Sequence, residues 1–327
     1  MSAVLADVGQ IDRRTYIGGS DIAKILGIDP YGGTPLTCYL AKIGEAQGTM
    51  DPEKKKFLER RKRWEGPIVE MLREEFAVNI VAVNARYVDP FQPFMAAEID
   101  FEWADEHGEI QNGEIKTVSP FAFNEGAGWG EAGTDEIPVH YHAQVQWGLG
   151  VKQRQTCIVA AMAGLDTMVF YRVERDEETI TGMREAAVSF WRDHVLAKLP
   201  PEPITMGDAL ALFRRRNGRP VELDDQAAAA FENLRLIRSE LKTLEGDEAE
   251  CELEVAKAIC KAWGVPDGDE PPEDNAVLTH KGRTLGKWAR GRGAYLDQKK
   301  LAVDHPEIKV AYTVPTAFRT FRFNKAA

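Results

Sequence analysis

At 327 residues with 44% hydrophobic content, the chain can bury a substantial core, enough for two domains or one domain with an appendage. A formal net charge of −11 excludes a protein that coats nucleic acid over its whole surface, but leaves room for a local basic channel. No window approaches the roughly 20 apolar residues of a membrane span, and the start MSAVLADVGQIDRR has no apolar signal core, so a cytoplasmic protein without a membrane role is expected.

In chain order, IGGSDIAKILGI carries apolar residues at helical spacing behind a Ser20-Asp21 start signal, and PYGGTP after it is a turn cluster. A second helix is expected over roughly 52–76, containing the basic run KKKFLERRKRW at Lys54–Trp64, whose plain reading is a solvated surface. NIVAVNARYVD, PFMAAEIDFEWAD and GEIKTV read as strands. A glycine-rich loop then leads to a helix through HYHAQVQWGLGV, two further strands, QTCIVAAMA and TMVFYRVER, and a helix over about 177–197. Strands set between helices predict an α/β domain, a central sheet with helices on its faces.

That domain is expected to span 1–205, with a linker over 206–224. Residues 225–264 are nearly all strong helix formers, with Phe231, Leu234, Ile237, Leu241 and Leu244 in a coiled-coil-like seam that fits intramolecular packing or self-association. The segment 265–327 is basic, with short strand patterns in VLTHKGRTLGKWARG and TAFRTFRF. From Val277 to Lys325 it holds eleven Lys and Arg against three acids. Its interleaved aromatics suit either contact with a nucleic-acid strand or a half-buried edge strand. Cys38, Cys157, Cys251 and Cys260 lack metal-ligand spacing and are expected as reduced thiols.

The chemistry concentrates in GEIKTV. Alternation along a strand puts Glu114 and Lys116 on one face and Ile115 on the other. A hairpin through FEWADEHGEIQN would bring Asp100 beside Glu114. Two carboxylates and a backbone carbonyl, that of Ile115, suit Mg²⁺, which takes hard oxygen ligands and keeps several waters. Lys116 would orient the attacking water or the phosphate. The same E-x-K also fits an exposed cross-strand ion pair. Glu70, on the helix four residues after Gly66, could add a carboxylate, and His140 and His142 read as ordinary polar neighbours of the site.

Taken together, Gly18-Gly19-Ser20-Asp21, Gly66-x-x-x-Glu70, Asp100, Glu114-Ile115-Lys116 and Tyr141-x-x-Gln144-x-Gln146 occur in one order. Over roughly residues 11–200 the chain thereby resembles the YqaJ-like viral recombinase family, relatives of bacteriophage lambda exonuclease within the PD-(D/E)xK nucleases. The resemblance implies a restriction-endonuclease-like core with a mixed sheet, and a Mg²⁺-dependent deoxyribonuclease, with Mn²⁺ as a substitute. In it Asp100, Glu114, the Ile115 carbonyl and Glu70 would hold metal, and Lys116 would serve the water. Arg13, Ser20, Tyr141 and Gln144 would bind the DNA end, a guanidinium gripping a 5′-phosphate beside hydroxyl and amide donors. Read without the family, Arg13 fits a surface arginine, Ser20 a helix cap and Gln144 a buried polar residue.

The implied substrate is duplex DNA with a free end, digested 5′ to 3′ on one strand. The resulting 3′ overhangs would serve a phage annealing protein, in a homotrimeric ring inside a bacterial host. Glu98 stands where the lambda enzyme has a hydroxyl, which sets a negative charge beside the expected phosphate pocket. An endonuclease of the same superfamily, or a non-catalytic DNA-binding scaffold, are the rival readings.

Overall fold

The computed structural model describes residues 12–45, 52–123, 127–164, 166–213, 220–263, 276–289 and 296–313. The chain divides into two compact units, Met1–Arg216 and Asn217–Ala327.

In the first unit a 3₁₀ turn at Arg13–Thr15 precedes α1 (Gly19–Ile25), α2 (Pro35–Lys42) and α3 (Pro52–Glu74). Strands β1 (Ile80–Val88), β2 (Ala96–Ala104) and β3 (Ile110–Val118) follow, then α4 (Val139–Lys152), β4 (Thr156–Ala163) and β5 (Thr167–Glu174). Helix α5 (Glu177–Phe190) runs on into a π-helical stretch, Trp191–Leu196, and α6 (Met206–Phe213) ends the described part of the unit. The five strands lie in sequence order, antiparallel except for β3 and β4, which run parallel on either side of the α4 crossover.

The sheet is buried on both faces. Ile68, Val69 and Leu72 of α3 pack with Phe101, Ile115, Ala160 and Met162 in one cluster. A larger cluster joins residues of α1, α2, α4 and α5 to the sheet, with Ile22, Tyr39, Trp147 and Phe190 among its members. Strand alternation breaks at Asp100: Ala97 and Ile99 belong to the second cluster, whereas Phe101 belongs to the first. Pairing with β1 steps from Ala85–Ile99 to Val83–Phe101, with Asn84 between them at φ 51°. A left-handed residue inside a ladder twists the strand locally and re-aims its neighbours. The Phe101 ring then lies over Gly113, where an added Cβ would fall 2.2 Å from it.

Two helices of the first unit lie outside the expected set. Thr34 caps α2, its hydroxyl accepting from the Thr37 N–H at 3.1 Å, and Pro35 occupies the first turn. Helix α6 falls in the expected linker but belongs to the first unit. Asp208 is buried, its carboxylate accepting from the Thr34 hydroxyl at 2.7 Å and from the N–H of Ile204 and Thr205.

The second unit contains α7 (Asp225–Trp263), matching the expected long helix. It also holds a two-stranded sheet of β6 (Ala276–His280) and β7 (Arg283–Trp288), and the short helices α8 (Gln298–Asp304) and α9 (Pro306–Tyr312). Lys281 and Gly282, both at positive φ, turn the β6–β7 hairpin, as a two-residue loop matched to strand twist requires. The pattern TAFRTFRF lies outside the described residues. No helix among the described residues is long and apolar enough to cross a membrane.

Candidate active site

Strands β2 and β3 form the expected hairpin, with Phe101 opposite Gly113. The Asp100 carboxylate accepts a hydrogen bond from the Ile115 N–H at 2.8 Å, which fixes it against the strand that carries the other two groups. Lys116 Nζ donates to Glu114 Oε1 at 2.5 Å and to Gln144 Oε1 at 3.0 Å, and Gln144 Nε2 donates to Glu114 Oε1 at 2.7 Å. These contacts close a triangle between β3 and α4. The ammonium also lies 4.7 Å from the centre of the Tyr141 ring. Tyr141 is backed by Trp129 and shares a hydroxyl–hydroxyl hydrogen bond of 3.1 Å with Tyr31.

The electrostatics follow from two acids sharing one lysine in a dry place. Burial, and then the negative Glu114 beside it, push the Asp100 carboxyl well above its ordinary range. For Lys116 burial works against the charge, but Glu114 and Asp100 outweigh it and hold the ammonium above its usual value.

Of the expected residues, the structure brings together Asp100, Glu114, Ile115, Lys116, Tyr141 and Gln144. Glu70 is not among them: it is exposed and pairs with Arg73 one turn along α3, at 2.7 Å. The α3 carboxylate that faces the site is Glu65, whose carboxyl is raised by burial and which feels both Glu114 and Lys116. Helical periodicity explains the difference. Glu65 lies three and seven residues before the buried Ile68 and Leu72, on their face, whereas Glu70, two residues after Ile68, points away. Counting turns back from the apolar residues would have found it. His140 sits edge-on to Tyr31, its pKa lowered by burial and by Lys116.

Arg13 and Ser20 lie on a cavity that also touches Glu98, Glu114 and Gln144. Arg13 Nη2 donates to Ser20 Oγ at 2.9 Å. The cap of α1 is Gly18, not Ser20, and its N–H donates to the Asp21 carboxylate at 3.1 Å. Freed from capping, the Ser20 hydroxyl is turned to the cavity. A second cleft opens on Lys116 and Glu65 from the other side, lined by Lys24, Tyr31, Lys54, Phe57 and Arg61. The basic run of α3 is therefore not only a solvated face, since Lys54, Phe57, Arg61 and Glu65 recur at helical spacing along this cleft. Asp29 shapes its rim, accepting from the N–H of Tyr31 and Gly33 at 3.1 and 3.0 Å.

All of these groups lie inside one stretch of sequence: residues 10–156 match the YqaJ-like viral recombinase domain. The uncharacterized protein YqaJ of Bacillus subtilis strain 168 is 24% identical over 332 residues, spanning 98% of this chain and 94% of its own, so the likeness extends beyond the YqaJ-like domain into the second unit. Among solved structures, the alkaline exonuclease LHK-Exo from Laribacter hongkongensis is 14% identical, covering 57% of this chain and 91% of its own at a TM-score of 0.40. A phage-related exonuclease from Haemophilus somnus 129PT is 11% identical, with 56% and 96% covered at a TM-score of 0.37.

Proposed function

We propose that the chain is a divalent-metal-dependent deoxyribonuclease that enters duplex DNA at a free end and hydrolyses one strand from 5′ to 3′. The observation that supports this reading most is the pairing of Asp100 and Glu114 about Lys116, at the meeting point of a basic, aromatic cleft and the Arg13–Ser20 pocket.

The donor set suits Mg²⁺. Asp100, Glu114 and the Ile115 carbonyl offer hard oxygens, and the excess of carboxylate over ammonium is what a bound cation would relieve. Among the described residues no three His, Cys, Asp or Glu side chains cluster as a metal cage, so Asp100, Glu114 and the Ile115 carbonyl would be the protein's share of the ligands. When bound, the metal supplies a water of lowered pKa and stabilises charge on the phosphoryl oxygens. Lys116 would orient the attacking water or the phosphate, and Gln144 fixes both Lys116 and Glu114. Glu65 adds negative charge from α3. Phe57 and Tyr31 offer faces for bases to stack on, while Lys54 and Arg61 meet phosphates.

Digestion from the 5′ end would leave 3′ overhangs for an annealing partner in the cytoplasm of a bacterial host. A ring of three subunits would keep the enzyme on its substrate, and light scattering with and without DNA checks that mass. Linear duplex labelled separately at each end, with Mg²⁺ or chelator, tests the activity itself. Release of nucleotide from the 5′-labelled strand only, and only with metal, is expected. Cutting of covalently closed circles would replace this reading with an endonuclease, and no release at all would leave a binding protein.

A further inference from the structure

Glu98 places a carboxylate on the cavity that holds Arg13 and Ser20, where a terminal phosphate would be repelled. Its surroundings answer that charge. Glu98 Oε1 accepts from the Tyr16 hydroxyl at 3.1 Å and lies 3.0 Å from Arg86 Nη2. Arg86 is its cross-strand partner on β1, with a side chain 1% exposed against 41% for Glu98. The guanidinium also stacks over the Tyr16 ring, 4.3 Å from its centre, and Tyr16 is itself buried. A buried guanidinium costs much in desolvation, and an apolar side chain would fill such a place at least as stably. Its position behind Glu98, one of the two carboxylates on the cavity, points to a task beyond stability. On the same cavity, the amide of the buried Asn112 has neither its oxygen nor its nitrogen hydrogen-bonded.

We propose that Arg86 is a positioning residue: with Tyr16 it ties Glu98 to the cavity wall and cancels its charge, so that Arg13 and Ser20 accept a terminal phosphate. This rests on the end-binding reading above. Selectivity for phosphorylated ends is then set from behind the pocket, by a cation that never touches the DNA.

The test is equilibrium binding of the full chain to linear duplex with 5′-phosphate or 5′-hydroxyl ends, followed by fluorescence anisotropy in chelator, so that hydrolysis plays no part. Wild type should bind phosphorylated ends roughly tenfold more tightly, the scale of hydrogen bonds to a charged group. Arg86→Met should bring the ratio to about one, and adding Glu98→Gln to it should restore the preference, a rescue that a purely structural role would not give. Tyr16→Phe keeps the ring and loses only the hydroxyl, so it serves if Arg86→Met does not fold; its ratio should drop roughly threefold, the scale of one neutral hydrogen bond. A wild-type ratio retained in Arg86→Met or in Tyr16→Phe, or no rescue by Glu98→Gln, overturns the role of Arg86 and leaves the pocket standing. A wild-type ratio of one, or one that Arg13→Ala does not change, removes the pocket and this inference with it. The nuclease reading is judged separately, by hydrolysis in Mg²⁺.

Discussion

Two lysines of the first unit are each locked to a buried carboxylate, and the two pairs differ in one respect. Lys42 lies 2.6 Å from Asp21 and Lys116 lies 2.5 Å from Glu114, with side chains 3% and 13% exposed. Around Asp21 no negative charge is left over: Lys42 also donates to the Arg13 carbonyl at 2.8 Å, Lys24 lies 3.6 Å from the other carboxylate oxygen, and Asp21 accepts from the Gly18 N–H. Around Glu114 one is left over, because Asp100 adds a second carboxylate to one ammonium. The consequence appears in the acids. Burial raises Asp21, but Lys42, with Lys24 and the Gly18 N–H, outweighs it and the carboxyl is held low, whereas Asp100 is held high. The first pair anchors the backbone of Arg13. The second leaves Asp100 without a cation of its own, as expected where a metal ion is to be received.

The largest effects should separate the pairs by activity. Lys116→Met, Glu114→Gln and Asp100→Asn should each lower nucleotide release from linear duplex by roughly 10²–10⁴-fold, the range of a positioned proton-transfer group. Far-ultraviolet circular dichroism of each variant should match wild type. Activity within about threefold of wild type in any of them would dissolve the distinction.

Stability should separate them in the opposite sense. Asp21→Asn leaves the Lys42 ammonium buried without its counter-ion and should cost about 3–5 kcal/mol, read as a lower urea midpoint. Asp100→Asn, measured in chelator, removes a carboxylate that the fold prefers protonated and should gain on the order of 1 kcal/mol. Added Mg²⁺ should then raise the Tm of wild type but not of Asp100→Asn, a readout of metal that needs no catalysis.

pH sharpens the same contrast. Because the folded value of Asp21 is depressed, its stabilisation is present above its unfolded value near 3.8 and is lost as pH falls through the folded one. Asp100 is raised, so its contribution is fully present below that unfolded value and is lost as pH rises through the folded one. In urea titrations the gap between wild type and Asp21→Asn should therefore close on acidification. The gain in Asp100→Asn should appear as pH rises.

How much of this could be read from the sequence depends on how local each signal is. β2 and β3 were legible because apolar alternation and a short polar connection lie within one stretch, and Glu114, Lys116 and Asp100 came with them. The Asp21–Lys42 pair was not, since its partners sit on different helices and only tertiary packing joins them. Helix α2 was hidden because PYGGTP reads as a turn, although its Thr34-Pro35 end is also a helix start. In α6 and α8 the proline-rich and basic surroundings masked short helices whose stability comes from packing and from caps such as Asp297. The break in alternation at Asp100 depends on Asn84 across the sheet, which no pattern within β2 announces.

The smallest expected effect belongs to Glu70, where a motif spacing and a helical face point to different residues. Its partner Arg73 is exposed with it, and such i, i+3 pairs contribute about 0.2–1 kcal/mol at most. Glu70→Gln should therefore leave hydrolysis within about twofold of wild type and shift the urea midpoint barely at all. Glu65→Gln, five residues earlier, removes a carboxylate that feels Glu114 and Lys116 and should lower the rate and weaken the dependence on Mg²⁺. Titrating metal against rate for both variants decides which α3 acid serves the site. A rightward shift with Glu70→Gln and none with Glu65→Gln would mean that α3 turns when DNA is bound, bringing its outer face to the metal.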